Sequence, residues 1–319
     1  MKILITGATG FVGAQLSETL TNSGHDVRDT ARSLAPSGPT TRELLTCDLE
    51  SAENLDHLTT GCDAIVHLAG RAHVMSDNPA TSESLYISAN VDVTRKLAQS
   101  AARTGVKRMI LMSSVKVNGE STTIGSPFTS QDTPNPQDPY GRSKTQAEQV
   151  LWDIASKSEL EGVVIRPPLV YGPGVRANFA SLIGIVDRGI PLPLGSIRNK
   201  RSFVSIDNLI DCIATALQSS NAAGQTFLVS DGNDLSTPEL IRSIASALHK
   251  SPTLFPFPPV LLKLAATSAG KRSAYDRLCG SLTVDIALTK QKLSWTPPFT
   301  VQDSMQRTVD AFIQSRDSR

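Results

Sequence analysis

The chain has 319 residues, 39% of them hydrophobic and 19% charged, with a formal net charge of +1 at pH 7. These proportions exclude a disordered or fibrous chain and suit one large α/β unit or a main domain with a smaller partner. Thirty-one Lys and Arg against 30 Asp and Glu give no global field for a nucleic-acid backbone or an anionic membrane, a local basic patch aside. Cys47, Cys62, Cys212 and Cys279 stand far apart with no C-x-x-C and no His at ligand spacing, so no metal site and no disulfide framework is expected. No apolar run has the length of a membrane span or a signal peptide. The expectation is a cytoplasmic protein without a nucleic-acid or membrane partner.

Short β-branched runs predict strands at Lys2 to Thr6, Asp26 to Thr30, Glu43 to Thr46, Ala64 to Leu68, Arg108 to Ser113, Gly162 to Arg166 and Gln225 to Val229. Amphipathic stretches between them predict helices, among them Phe11 to Asn22, stopped by Gly24, and about Ser84 to Thr104, stopped by Gly105. Strand, helix and glycine stop in that order wind a doubly wound parallel sheet whose ligands bind beyond the carboxyl ends of the strands. Ser121 to Pro139 is polar, proline-broken and long, the character of a lid or substrate loop. Ser236-Thr237-Pro238-Glu239 reads as a capping box opening a helix. The division expected is a dinucleotide-binding domain, 1–170 with 203–230, and a smaller, mainly helical substrate-binding subdomain, 171–202 with 231–319.

Thr6-Gly7-Ala8-Thr9-Gly10-Phe11-Val12-Gly13 lies between the first strand and the first helix. Its G-x-x-G-x-x-G spacing lets the backbone approach a pyrophosphate at the helix N-terminus, which makes Gly7, Gly10, Phe11, Val12 and Gly13 cofactor-binding candidates. An acid about 20 residues on would accept from the ribose 2′-hydroxyl; here Asp29-Thr30-Ala31-Arg32 places Ala31 near that position and a guanidinium next to it. Arg32 can pair with a 2′-phosphate, so NADP(H) is favoured over NAD(H), with Asp29 as the residue that a shift in register would bring in. Asp48 and Leu49 follow the third strand at the adenine position, and Leu68-Ala69-Gly70 keeps the fourth strand's exit small where a cofactor passes.

Tyr140-Gly141-Arg142-Ser143-Lys144 puts Tyr140 and Lys144 on one helix face. A phenol with a pKa of about 10 needs a nearby cation to act as a base at neutral pH, which Lys144 can supply while binding the nicotinamide ribose. Ser114, after the fifth strand, is placed to donate to the oxygen being oxidised or reduced.

With Val66 to Gly70, Asn90-Val91, Ser113 to Gly119, Arg166 to Pro173, Arg201 to Val204 and Asp207-Asn208-Leu209, these motifs span nearly the whole chain. The chain resembles the extended short-chain dehydrogenase/reductases of the NAD-dependent epimerase/dehydratase family, which have a Rossmann fold. That resemblance implies a UDP-sugar substrate, with Tyr140 as acid/base, Lys144 as its partner, Ser114 as oxygen donor, and Asn178, Arg201 and, less directly, Arg277 on the nucleotide diphosphate. It also implies a possible homodimer through the helix of Tyr140 and the one beginning near Ser84. Dehydratases of the family carry an Asp-Glu pair where this chain has Val115-Lys116, so a 4,6-dehydratase is not expected. Lys116, if the strand continued, would share Ser114's face and reach a sugar oxygen. The resemblance is strongest to a bacterial polysaccharide subgroup acting at C4. The favoured expectation is an NADPH-dependent 4-ketoreductase of a UDP-4-keto-6-deoxy-N-acetylhexosamine; the alternatives are a UDP-glucose or UDP-N-acetylglucosamine 4-epimerase with tightly bound NAD and a cofactor-sensing regulator without catalysis. The last predicts a damaged Tyr/Lys pair, whereas both residues are present.

Overall fold

The computed structural model describes residues 1–32, 43–72 and 79–317. Its strands are β1 (Lys2–Thr6), β2 (Asp26–Ala31), β3 (Glu43–Thr46), β4 (Ala64–His67), β5 (Arg108–Met112), β6 (Glu161–Arg166), β7 (Leu169–Tyr171), β8 (Phe203–Ser205) and β9 (Gln225–Leu228). The main helices are α1 (Phe11–Asn22), α2 (Asp56–Thr59), α3 (Pro79–Tyr86), α4 (Val93–Thr104), α5 (Pro139–Ala155), α6 (Ala177–Asp187) and α7 (Ile206–Gln218). They continue with α8 (Thr237–Ala247), α9 (Pro259–Ser268), α10 (Arg272–Cys279), α11 (Ala287–Leu293) and α12 (Val301–Asp317). Seven strands form one parallel sheet in the order β3-β2-β1-β4-β5-β6-β9. This is the doubly wound Rossmann arrangement expected from the sequence, with its switch point between β1 and β4.

Alternation along the strands explains the two layers of helices. Ile3, Ile5, Val66, Ile110 and Val163 face one side, where Leu16 and Leu20 of α1 and Leu209 and Ile213 of α7 cover them. Leu4, Ile65, Met109, Leu111 and Val164 face the other, under Leu97 and Ala98 of α4 and Ala147 and Leu151 of α5. A strand buried on both faces reads as a continuous apolar run, which is why Lys2–Thr6 was legible without alternation. A third core joins α6, α8 and α12 through Ile183, Ile244 and Val309, among others. The segment Leu282 to Trp295 packs into the first of these cores, against the sheet.

Three differences from the sequence reading matter for the site. β7 and β8 form a separate two-stranded parallel pair, each three residues long and too short for a periodic signal. The helix expected from Ser84 is broken between α3 and α4 by a π-helical turn, Ile87–Asp92, in which the Val93 N–H reaches back to the Ser88 carbonyl. Nor is the polar loop from Ser121 free: Phe128 donates to and accepts from the Thr283 and Asp285 backbones, and Asn135 N–H donates to Val117.

The predicted capping box is present: Ser236 accepts from Glu239 N–H at 3.3 Å and Glu239 accepts from Ser236 N–H at 2.7 Å. These bonds hold the Glu239 carboxyl at about 2. A lowered carboxylate pKa stabilises above the unfolded value and loses that contribution as pH falls toward 2. Ser236→Ala should cost about 1 kcal/mol in urea unfolding at pH 7, and the difference between Glu239→Gln and the parent should shrink as pH drops from 5 toward 2.

Candidate active site

The carboxyl ends of β1 to β4 open onto a cleft lined by Gly7, Gly10, Arg32, Asp48, Leu49, Leu68, Ala69 and Gly70. All eight were singled out from the sequence; Thr9, Thr30, Ala31, Cys47, Glu50, Ala89 and Val93 complete the lining. Gly7 has φ +73°, and a Cβ there would stand 2.8 Å from Ala69 N. At Gly13 a Cβ would stand 2.2 Å from the Gly7 carbonyl oxygen, so the turn and the first helical turn close on each other only because both residues lack side chains. Gly10 caps α1 without a side-chain hydrogen bond. The N–H groups of Phe11, Val12 and Gly13, which have no i−4 carbonyl within the helix, are thus left to a ligand at the positive end of the dipole. A side-chain-free cradle, an anion-seeking helix end and an apolar adenine wall fit a dinucleotide.

Where β2 ends decides which residue stands at the position that the sequence offers for the adenosine ribose. Asp29 is buried and accepts from Ser17 Oγ of α1 at 2.6 Å, on the far side of the strand from the cleft. The register shift that would restore an acid therefore does not occur. Ala31 and Arg32 occupy the corner, and the Arg32 side chain, 72% exposed, stands 3.7 Å from Glu50 Oε1. The loop after β3 is fixed by a residue the sequence did not reveal: Lys96 Nζ of α4 donates to the carbonyls of Leu49, Glu50 and Ala52 at 3.4, 2.7 and 2.8 Å. Its partners are backbone atoms 44–47 positions away, which no motif encodes.

His67 connects the cleft to the helices behind it. Thr94 Oγ1 donates to the Asn90 carbonyl at 2.6 Å, so it accepts from His67 Nε2 at 3.1 Å, and Thr6 Oγ1 donates to Nδ1 at 2.7 Å while accepting from Ala69 N–H. Burial, with Lys144 nearby, lowers this imidazole to about 3. It is a neutral strut with both nitrogens engaged.

Tyr140 and Lys144 lie one turn apart at the start of α5, whose N-cap Asp138 accepts from Gly141 N–H at 2.6 Å. Burial pushes Tyr140 up to about 12, offset in part by its side-chain hydrogen bond with Ser114, which caps the 3-10 turn Val115–Val117 after β5. Lys144 Nζ donates to the Met112 carbonyl at 3.0 Å, and burial lowers it to about 8, against the opposing pull of Glu148. A Cβ built on Gly70 would sit 3.4 Å from that ammonium, so the catalytic end and the cofactor cleft are contiguous. The structure thus gathers Ser114, Tyr140, Lys144 and Gly70 at one point.

Asn90 and Glu148 carry no role that the sequence alone announces. The π-helical turn presents Asn90 inward, where Oδ1 accepts from Arg71 N–H at 2.8 Å and Nδ2 donates to Ser143 Oγ at 2.9 Å, tying the Gly70 loop to α5. Glu148, four residues past Lys144 on the same helix face, takes two hydrogen bonds from Arg166 at 2.9 and 2.6 Å and one from Ser113 Oγ. Spacing could have found Glu148; Asn90 depends on an irregular turn.

One sequence expectation is overturned. The strand stops at Met112, and Lys116 lies in the 3-10 turn, where it pairs with Asp138 at 2.5 Å and Glu120 at 3.0 Å. It holds the N-cap of α5 and does not extend a strand face. Of the diphosphate candidates, Asn178 is exposed near the start of α6 and Arg277 is exposed on α10, while Arg201 is half-buried and donates to the Gly280 carbonyl at 3.0 Å. Among the described residues no cluster of His, Cys, Asp or Glu could hold a metal, and no helix is long and apolar enough to cross a membrane.

Breaking the Arg166–Glu148 pair leaves a buried charge uncompensated. Glu148→Gln should lose about 3–5 kcal/mol of stability in urea unfolding. Because Glu148 holds the Lys144 ammonium up, the alkaline limb of the kcat/KM profile should move below about 8 in any variant that remains folded.

Comparison with known proteins agrees with this geometry. Residues 3–230 match the model of the NAD dependent epimerase/dehydratase family. A UDP-glucose 4-epimerase of Vibrio cholerae is 45% identical over 317 residues, covering 99% of this chain and 97% of the relative. An N-acetyl-alpha-D-glucosaminyl-diphospho-ditrans,octacis-undecaprenol 4-epimerase of Escherichia coli O157:H7 is 26% identical, covering 97% and 94%. In fold the chain is similar to the UDP-glucuronic acid 4-epimerase from Bacillus cereus in complex with NAD, with a TM-score of 0.80 at 22% identity over 100% of this chain and 99% of that one. A parallel seven-stranded sheet with its glycine cradle, and a full-length relative at 45% identity, make the conclusion plain: the chain belongs to the NAD dependent epimerase/dehydratase family and is an enzyme of the extended short-chain dehydrogenase/reductase type.

Proposed function

We propose that the protein is a UDP-hexose or UDP-N-acetylhexosamine 4-epimerase that works with a retained NAD. The observation that carries this reading is the Ser114–Tyr140–Lys144 group abutting the dinucleotide cleft at Gly70, in a chain 45% identical, over nearly its whole length, to a UDP-glucose 4-epimerase. When bound, the nicotinamide ring supplies a hydride acceptor and donor. The chain's own residues handle the proton and the pose. Tyr140 takes the proton from the sugar's O4 hydroxyl and returns it once the sugar has presented its other face, with Ser114 hydrogen-bonding at the same point. Lys144, protonated below about 8, places a positive charge beside the ring and ribose position and favours the phenolate when Tyr140 acts as base. Arg201 and Asn178 are the candidates for the diphosphate, where a guanidinium fork matches the oxygens.

A second reading rests on one observation. With Asp29 turned into the α1 face, the ribose corner holds Ala31 and an exposed Arg32, which accommodates a 2′-phosphate and suits a 4-ketoreductase consuming NADPH. The two readings separate in one assay. The epimerase reading expects interconversion of UDP-N-acetylglucosamine or UDP-glucose with its C4 epimer, without net cofactor change. Stoichiometric NADPH loss with UDP-4-keto-6-deoxy-N-acetylglucosamine, and no epimerisation, would establish the reductase instead.

Tyr140→Phe should lower kcat by at least about 100-fold while leaving cofactor binding, followed by fluorescence titration, within about twofold of the parent. Undiminished turnover would remove Tyr140 from the mechanism.

A further inference from the structure

Outside the catalytic cleft, α9 and α10 contain no buried residue. Val260, Leu261 and Leu264 of α9 are 70%, 52% and 61% exposed, and Leu278 of α10 is 41% exposed. Spacing at i, i+1 and i+4 puts the three α9 residues on one face. Leu262, on the other, is partly buried against the third core. Tyr275 Oη, donating to the Pro259 carbonyl at 3.2 Å, binds the two helices together. Large apolar side chains exposed side by side on one face mark a candidate interaction surface.

The charge on the same element is one-sided. Residues 259–280 carry Lys263, Lys271, Arg272 and Arg277 against Asp276 alone, a net +3 in a chain whose total is +1. Asp276 is taken by Arg272 at 3.7 Å. Lys263, Lys271 and Arg277 have no ion-pair partner among the described residues. A second copy of the chain docking here about a two-fold axis would set like charges against each other. An anionic bilayer satisfies both the apolar face and the cations, the combination that lets a short helix lie in a membrane interface.

We propose that α9 and α10 form a docking surface for an anionic lipid bilayer, with Val260, Leu261 and Leu264 entering the headgroup boundary and Lys263 and Lys271 meeting lipid phosphates. This goes beyond the activity proposed above and does not depend on it. The surface belongs to the substrate-side lobe: Asn199 donates to the Leu278 and Gly280 carbonyls at 3.2 and 2.9 Å, and Arg201 donates to Gly280. Docking would therefore bring the diphosphate candidate Arg201 to the membrane side of the molecule. Whole-chain composition concealed this, because a local +3 disappears into a balanced total.

The test is co-sedimentation of the full-length protein with vesicles of equimolar phosphatidylglycerol and phosphatidylcholine, beside pure phosphatidylcholine and a lipid-free control. Binding is expected only with phosphatidylglycerol present and should weaken as salt is raised. Lys263→Gln and Lys271→Gln should each lower the partition coefficient roughly fivefold, and Leu261→Asp with Leu264→Asp should abolish binding. All four positions are exposed, so thermal unfolding and turnover of a soluble UDP-sugar should stay at parent values and certify the fold. Absence of vesicle binding would overturn the proposal, as would binding that survives both sets of substitutions. So would concentration-dependent dimerisation in sedimentation velocity that Leu261→Asp with Leu264→Asp abolishes while vesicles are ignored.

Discussion

The catalytic end of the molecule depends on one buried ion pair. Arg166 comes from the last position of β6 and Glu148 from the third turn of α5, and both side chains are almost fully enclosed. Glu148 also accepts from Ser113 at the end of β5, and Arg166 also donates to Asn118 Oδ1 at 3.0 Å. Asn118 in turn donates to the Thr129 carbonyl of the polar loop. Two strand ends, the catalytic helix, the 3-10 turn beside Ser114 and the loop over them are thereby locked to one another. An apolar cluster of similar volume would cost less desolvation. It would not fix the rotation of α5, and in the mechanism proposed above that rotation decides whether Tyr140 and Lys144 reach the same substrate oxygen and cofactor position. The pair acts on electrostatics as well as geometry, since the Glu148 charge opposes the lowering that burial imposes on the Lys144 ammonium.

The sequence was most informative where function demands a residue type that structure alone would not choose. Glycine at positions 7, 10 and 13 is legible because a cofactor and a crossing backbone both need the absence of a side chain, and Tyr140 with Lys144 because helical spacing gives them one face. β1, β4 and the interiors of β5 and β6 read as apolar runs because they are buried on both faces, whereas β2, β3 and β9 carry polar residues and are legible from their short β-branched or apolar stretches between turn residues. What stayed hidden depends on long-range pairing. The direction of Asp29 is set by Ser17 across the strand, the loop after β3 by Lys96, and the inward turn of Asn90 by a π-helical insertion that leaves the local composition unchanged. Lys116 misled for a related reason. The pattern Ser-Ser-Val-Lys-Val continues a strand in β-propensity, yet the backbone turns at Ser114, and the lysine finds Asp138 instead of a strand neighbour.

On the mechanism proposed above, Tyr140 shows how one environment serves two protonation roles. Burial pushes its phenol up to about 12, so the hydroxyl is held protonated. Lys144 Nζ meanwhile donates to the Met112 carbonyl at 3.0 Å, which fixes the ammonium one helical turn along from the phenol. The acid form is therefore the resting form, and in the mechanism proposed above action as a base draws on the Lys144 ammonium and on a short contact from the substrate hydroxyl. A site built this way keeps the proton until substrate and cofactor are both in place.

Whether such an enzyme epimerises or reduces turns on whether its cofactor leaves, and the cleft contains features bearing on that point. The loop that would cover the adenosine half is held by three carbonyl bonds to Lys96, and Ser88 of the π-helical turn donates to Glu50 at 3.3 Å. Lys96 and Ser88 belong to the same helical run as Asn90, which reaches through the Gly70 loop to Ser143 on the catalytic helix. Opening the cleft would therefore disturb the contacts that align Ser143, Lys144 and Tyr140. An epimerase returns its hydride within one binding event and never needs that opening, whereas a reductase must open in every turnover. The coupling of this loop to α5 thus supports the retained cofactor of the 4-epimerase proposed above, even though Arg32 beside it is compatible with a phosphate.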